Sequence, residues 1–247
     1  MPRPALRSVL LLLALVTPAL AGDEPPWQEY DALLKRWVDE QGRVDYRAWK
    51  AEGEPALRAV VAKFARVDPD ALTPQARKAY WIDVYNAVTL QGILEFFPLR
   101  SIKDKVSPSW SLWKDYEFGP RRLSLDHIEH ELLRKLGDPR VHAALVCAAK
   151  SCPPLRREAY LPDKLDEQLD QNARAWLADP ERGVRVEGDT VRLSRLFEWF
   201  AADFGPDPAR RLAWVAKFLP EERRAALLRP GLKVAYLDYD WALNARP

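Results

Sequence analysis

A chain of 247 residues, 48% of them hydrophobic and 30% charged, is long and apolar enough to bury a substantial core, which excludes intrinsic disorder over most of its length. Its 38 lysines and arginines nearly balance 36 acids, for a formal charge of +2, and this near-neutrality argues against a nucleic-acid binder. The 10 tryptophans are many for this length and point to core and groove lining rather than to one ligand.

Arg3 and Arg7 precede the uncharged run SVLLLLALVTPAL, which ends in Ala19-Leu20-Ala21. A basic region, an apolar region and a small-residue cleavage site in that order read as a secretory signal peptide over residues 1–21. The apolar run is about a dozen residues where a spanning helix needs roughly 20, and acidic Asp23 and Glu24 follow at once. The expectation is a periplasmic or secreted mature chain of about 225 residues with no integral membrane segment after cleavage. Export would place Cys147 and Cys152, the two cysteines of the chain, in an oxidising compartment.

Beyond the leader, Tyr30, Leu33, Leu34, Trp37 and Val38 recur at helical spacing, with a stop near Gly42. A short extended piece, RVDY, follows, and PALRAVVAKFARV reads as a second amphipathic helix. TPQARKAYWIDVYNAVTLQGILEFFP predicts a third, capped by Thr73, started by Pro74 and closed by Pro98. It is apolar on most faces and therefore central, so its polar residues need partners. From Ile102 to Arg122 no period persists, which predicts an ordered loop. LSLDHIEHELLRKLG is a helix with Ser124 or Asp126 as cap and Gly137 as stop. VHAALVC has the length and apolarity of a strand, and AAKSCPPL leaves it as a loop. KLDEQLDQNARAWLAD is a further amphipathic helix, VRVEGDTVRL a hairpin turning at Gly188-Asp189, and Ser194 caps RLFEWFAADFG. A C-terminal helix and a last strand within LKVAYLDYDWAL complete a helix-dominated α+β domain with a small, mostly antiparallel sheet.

The blocks YWIDVYNAVTL, LSLDHIEHELLR, VHAALVCAAKSCPPLR, VRLSRLFEWFAADFG and YLDYDWALN stand in this order between Leu72 and Asn244, and together they resemble the domain of unknown function 547 (DUF547) family. One departure is Asp238, where many relatives carry proline before the YDW. The resemblance implies a domain over residues 72–247, with residues 22–71 as an N-terminal helical extension packed on it. It brings no agreed activity. A weaker likeness to papain-like and transglutaminase-like thiol enzymes implies a papain-like fold and asks for a nucleophilic cysteine, a histidine and a polar residue to orient it.

The densest cluster of reactive side chains is VHAALVCAAKSCPP, with His142, Cys147 and Cys152. Either cysteine is a candidate nucleophile if a histidine or cation lowers its pKa. If residues 141–147 form a strand, His142 and Cys147 point to opposite faces, which leaves His130 as the partner for Cys147. Glu129 lies about 100° around the helix from His130 and is not its automatic orienter. Asn86 can play that orienting part, as an asparagine does in papain-like enzymes, or can bind a loop carbonyl. The cysteines can instead pair as a disulfide, stay inert, or join His130 and His142 around zinc. Arg134 and Lys150 are candidate cations for a substrate carboxylate or a thiolate, with exposed ion pairing as the alternative. Asp240 and Trp241 are candidates to return to the site, with a structural hydrogen bond to a helix N-terminus as the alternative for Asp240. No cofactor is implied. Two functions stay open: a thiol-dependent hydrolase or transferase acting on an amide, thioester or small thiol, or a non-enzymatic envelope module whose tryptophan-lined groove takes a peptide or glycan.

Overall fold

The computed structural model describes residues 24–104 and 111–247, so the signal peptide expected over residues 1–21 lies outside the described residues. Three helices open the chain: α1 (Trp27–Trp37), α2 (Tyr46–Glu52) and α3 (Glu54–Phe64). The first ends at Trp37, before the expected stop, because Val38 and Val44 pair as a bridge around the Gly42 turn. RVDY is extended only at its start. Asp45 accepts the Ala48 N–H, and this cap turns Tyr46 into the first residue of α2.

The centre of the fold is α4 (Pro74–Phe96), for which Thr73 accepts the Ala76 N–H at 3.3 Å. Its apolar residues face every direction, and α1 to α3 on one side and the 125–160 region on the other share its core. A helix hydrophobic all round is stable only when it is surrounded. Its buried polar residues are all engaged. Asp83 accepts the Tyr160 N–H, Thr89 donates to the Tyr85 carbonyl, and Asn86 bonds the backbone of Ala144 and Val146.

After a short α5 (Leu112–Asp115), strand β1 (Glu117–Phe118), within the stretch expected to be a loop, pairs antiparallel with β2 (Leu123–Ser124), the first two residues of the segment expected to be a helix. Ser124 then caps α6 (Leu125–His127), accepting the His127 N–H at 3.2 Å. The predicted single helix does not continue regularly. It widens into π-helical turns over Ile128–Leu133, tightens to 3₁₀ over Arg134–Leu136, and stops at Gly137 with φ +68°.

The expected strand VHAALVC is absent. Val141–Ala144 is a short helix, α7, and Leu145–Cys147 run on as extended chain without a strand partner. Two anchors decide this. Asn172 and Arg140 tie α7 to α8 (Leu165–Ala178), where Asn172 donates to the Ala143 carbonyl and Arg140 pairs with Asp166 and Asp170 at 2.8 Å each; Asn86 of α4 meanwhile occupies the backbone groups a strand neighbour would need.

The hairpin forms as β3 (Val184–Glu187) and β4 (Thr190–Leu193), and RLFEWFAADFG splits at Phe200 into α9 (Leu196–Trp199) and α10 (Ala201–Phe204). After α11 (Pro208–Ala216) and α12 (Glu221–Leu228), β5 (Lys233–Tyr236) pairs parallel to β4, so the three-stranded sheet has the order β3-β4-β5. The fold is thus α+β and helix-dominated. Trp176, Phe197, Phe204, Val215 and their neighbours make a second core, and α7 and α8 run along the seam between the two.

The last residues knit the seam. Lys150 N–H donates to Ala242, Asn244 N–H to Ala148, Leu243 N–H to Arg100, and Val44 N–H to Asn244, all at 2.8–2.9 Å. The buried Asn244 side chain accepts from Tyr46 Oη at 2.7 Å and donates to the Gly42 carbonyl. Gly42 has φ +74°, and a Cβ there would stand 2.6 Å from Leu155 N, so only glycine fits this turn. Among the described residues no helix is long and apolar enough to cross a membrane.

Candidate functional site

A cleft of about 240 Å³ opens on the seam, lined by Glu129 and His130, His142, Cys147 and Cys152, and an aromatic wall of Tyr239, Trp241 and Trp199. The irregular backbone builds it. Glu129 and His130, neighbours on the π-helical turns, both line the cleft. Because α7 replaces the expected strand, His142 and Cys147 also reach the same cleft, and the two-face argument against their partnership falls with the strand.

Cys147 and Cys152 form a disulfide across a Cα–Cα distance of 6.2 Å, so of the readings open at the sequence level this is the state the structure holds. The turn that permits it runs through Ala148, whose φ of +60° lies in the left-handed region that costs a side-chain-bearing residue about 1–2 kcal/mol. Cys147 is partly open to the cleft, whereas Cys152 is 3% exposed. The Cys152 sulfur accepts the Cys147 N–H at 3.0 Å, and the Tyr239 hydroxyl stands 3.1 Å from Cys147 Sγ and 3.3 Å from Cys152 Sγ. With both sulfurs bonded to each other neither carries a proton, so the Tyr239 O–H is the donor. Burial, followed by the Glu129 charge, raises the Tyr239 phenol above its ordinary range and keeps that proton in place.

Beside the sulfurs lies a connected charge network. Arg134 grips Asp203 with Nε to Oδ2 at 2.7 Å and Nη2 to Oδ1 at 3.0 Å, and its Nη1 donates to His130 Nδ1 at 2.6 Å. His142 Nε2 donates to Asp203 Oδ2 at 2.7 Å, and its ring stacks on Phe200 with centroids 4.2 Å apart. A carboxylate only accepts, so the His142 proton sits on Nε2 and Nδ1 is bare. Burial lowers the His142 pKa to about 4 against the opposing pull of Asp203, and the imidazole is neutral at pH 7. Burial raises the Asp203 carboxyl, but the bonds from Arg134 and His142 outweigh it and the net shift is downward. Glu129 accepts from Tyr85 Oη at 3.0 Å; burial raises its pKa while His130, Tyr85 and Arg134 pull it down.

The other candidates divide. Trp241 returns to the cleft, stacked on Trp199 with centroids 5.5 Å apart and carrying Lys103 Nζ 3.5 Å over its ring. Asp240 and Lys150 lie outside the cleft, 57% and 58% exposed and 3.8 Å apart; Asp240 accepts the Ala242 N–H within its own turn. Arg134 is engaged with Asp203 and does not present a free cation. Asn86 touches neither histidine. Its amide donates to the Ala144 carbonyl and its oxygen accepts from Val146 N–H, both at 2.9 Å, so it orients the backbone of the site rather than an imidazole. Among the described residues no group of three or more His, Cys, Asp and Glu is placed to hold a metal ion. The residues that sequence reasoning missed, Asp203 and Tyr239, stand inside AADFG and LDYDW, family-like blocks in which neither residue was given a chemical role.

A helical α+β domain with a disulfide, two histidines and two acids around one aromatic cleft defines the class. Within it, the family model described as Protein of unknown function, DUF547, matches residues 69–177 of the chain. No curated protein and no solved structure matches the chain.

Proposed function

We propose that the protein is an exported thiol enzyme in which Cys147 is the reacting sulfur and the aromatic cleft holds a small substrate that presents a thiol, thioester or amide to it. In this reading residues 1–21 leave as the signal peptide, residues 22–71 are an extension packed on the 72–247 domain, and the mature chain works in the periplasm or outside the cell. The observation that carries the proposal is convergence. Two chain segments bring Cys147, the neutral imidazole of His142 and Glu129 to one cleft, and a third supplies Asp203, which holds His142 from behind. A neutral histidine with a bare nitrogen is the protonation state a general base needs.

The test is covalent trapping on pre-reduced protein. Incubation with a chromogenic thioester is expected to leave an acyl adduct that peptide mapping assigns to Cys147, absent in Cys147→Ser and slowed in His142→Gln. Inertness of the reduced thiol to thioesters, disulfides and alkylating agents alike overturns the reading.

One observation favours a binding module instead: the stacked Trp199–Trp241 pair with Tyr239 and Trp113 beside it offers a face for an apolar or sugar ring. Titration of tryptophan fluorescence with soluble oligosaccharides and tripeptides separates the two. Undiminished binding in a variant lacking both cysteines, with no thiol reactivity in the parent, would favour the module.

A further inference from the structure

The disulfide has two unlike ends. Both sulfurs line the cleft, but Cys147 is partly exposed there while Cys152 is only 3% exposed. An incoming nucleophile therefore meets Cys147 Sγ first. The sulfur that would leave, Cys152 Sγ, accepts the Cys147 N–H at 3.0 Å, and the single Tyr239 O–H proton stands between the two sulfurs, 3.1 Å from Cys147 Sγ and 3.3 Å from Cys152 Sγ, within reach of Cys152 as the bond breaks. Donors aimed at the leaving sulfur stabilise a thiolate more than they stabilise a neutral disulfide, and so lower the barrier to exchange.

The surrounding amides point the same way. An acyl-transfer site keeps backbone N–H groups free to meet an oxyanion. Here those of Val146, Lys150, Ser151 and Cys152 are bonded to Asn86, Ala242, Asp240 and Ala149, and that of Cys147 is directed at the partner sulfur. The two donors that do face the sulfurs, the Cys147 N–H and the Tyr239 O–H, are suited to a sulfur anion.

We infer that the pair is a redox-active disulfide that reacts with small thiols by exchange, with Cys147 as the attacked sulfur, Cys152 as the leaving one and Tyr239 as a positioning residue for the Cys152 thiolate. This rests on the reading of Cys147 as the reacting sulfur and narrows its substrate class to thiols. In the first step a thiolate RS⁻ attacks Cys147 Sγ; the RS–Sγ bond forms, the Sγ–Sγ bond breaks, and its electron pair goes to Cys152 Sγ. In the second step another RS⁻ attacks the R sulfur of the mixed disulfide, releasing RSSR and the Cys147 thiolate. Two thiols are oxidised and one protein disulfide is reduced. The aromatic wall of Trp199, Tyr239 and Trp241 would select thiols with an apolar or planar substituent over small charged ones.

The experiment uses the oxidised full-length mature protein with glutathione and, separately, thiophenol, following the loss of the disulfide by quenched mass spectrometry. Three results are expected. A mixed disulfide accumulates on Cys147 in Cys152→Ala challenged with glutathione disulfide, and the matching Cys147→Ala variant traps at least about tenfold more slowly. Tyr239→Phe, which keeps the ring in the aromatic wall, slows reduction of the disulfide by about tenfold, the worth of one hydrogen bond to an anion. The pH profile of alkylation of the Cys152 thiol, read in Cys147→Ala, moves upward when Tyr239→Phe is added, a shift that a purely structural tyrosine would not produce. Mapping of the adduct to Cys152, or reduction of Tyr239→Phe at the parent rate, overturns the inference. Acyl trapping on the pre-reduced protein is read independently, so a Cys147 that takes thioesters while failing these tests defeats the exchange inference alone.

Discussion

The helix α4 and the stretch from Leu125 to Cys152 meet at Asn86, and they are built on opposite principles. Along α4 the backbone is regular over Pro74–Phe96, the side chains are apolar in every direction, and the fully buried Asp83, Asn86 and Thr89 each have a partner. Between Leu125 and Cys152 the chain passes through α-, π- and 3₁₀-helical turns, a left-handed glycine, a one-turn helix and a left-handed Ala148 within 28 positions or so of sequence length. The first region supplies rigidity and a single side chain of the cleft, Tyr85, which donates to Glu129. The second carries Glu129, His130, Arg134, His142 and both sulfurs, and owes its shape to the first. Irregular backbone is costly, and it persists where a rigid neighbour holds it.

If that dependence is real, cutting the anchor should cost more than altering the site. Asn86→Ala leaves the Val146 N–H and the Ala144 carbonyl buried and unpaired, and is expected to destabilise the protein by about 3 kcal/mol in urea unfolding. A loss under about 1 kcal/mol would mean that the 141–152 segment holds itself.

Nearly as large is the acid response of His142. Its pKa falls from 6.5 in the unfolded chain to about 4 in the folded one, so below pH 6.5 the unfolded state binds the extra proton. The stability tied to this depressed pKa is fully present above pH 6.5 and is lost as pH falls toward 4, up to about 3 kcal/mol. Unfolding free energies at pH 7.5 and 4.5 should diverge in the parent and converge in His142→Gln. An equal pH dependence in both would place the proton elsewhere.

Replacing both cysteines by serine opens a short loop, and the chain-entropy estimate for so small a ring is about 2 kcal/mol. If α4 holds the segment as described, the double variant still folds, and its far-UV and near-UV circular dichroism match the parent. The smallest effect is expected at Ala148→Gly, where relief of the left-handed strain and the added freedom of glycine in the unfolded chain nearly cancel, leaving a change under about 1 kcal/mol.

The same contrast explains what could be read from the sequence. The period and caps of α4, the Gly188-Asp189 hairpin and the amphipathic α8 are local signals, and each of these elements forms. VHAALVC was legible only as an apolar run of strand length; it becomes helix and extended chain because Asn86 and Asn172, 58 and 29 residues away in sequence, claim its carbonyls. The site was half legible for the same reason. His130, His142 and the cysteines are recognisable by residue type and lie within 130–152, but Asp203 and Tyr239 become partners only when α10 and the C-terminal segment fold back across the seam. No spacing rule reports a contact between residues 61 or 87 positions apart.

Cys147 is the sulfur that the cleft presents. The most direct test reduces the native protein and compares the rates at which iodoacetamide labels Cys147 and Cys152 at pH 7, mapped by peptide and repeated in Cys152→Ser and Cys147→Ser. Labelling of Cys147 at least about tenfold faster than Cys152 is the predicted result, in keeping with an open thiol beside a sealed one. Equal rates, or faster labelling of Cys152, would contradict it.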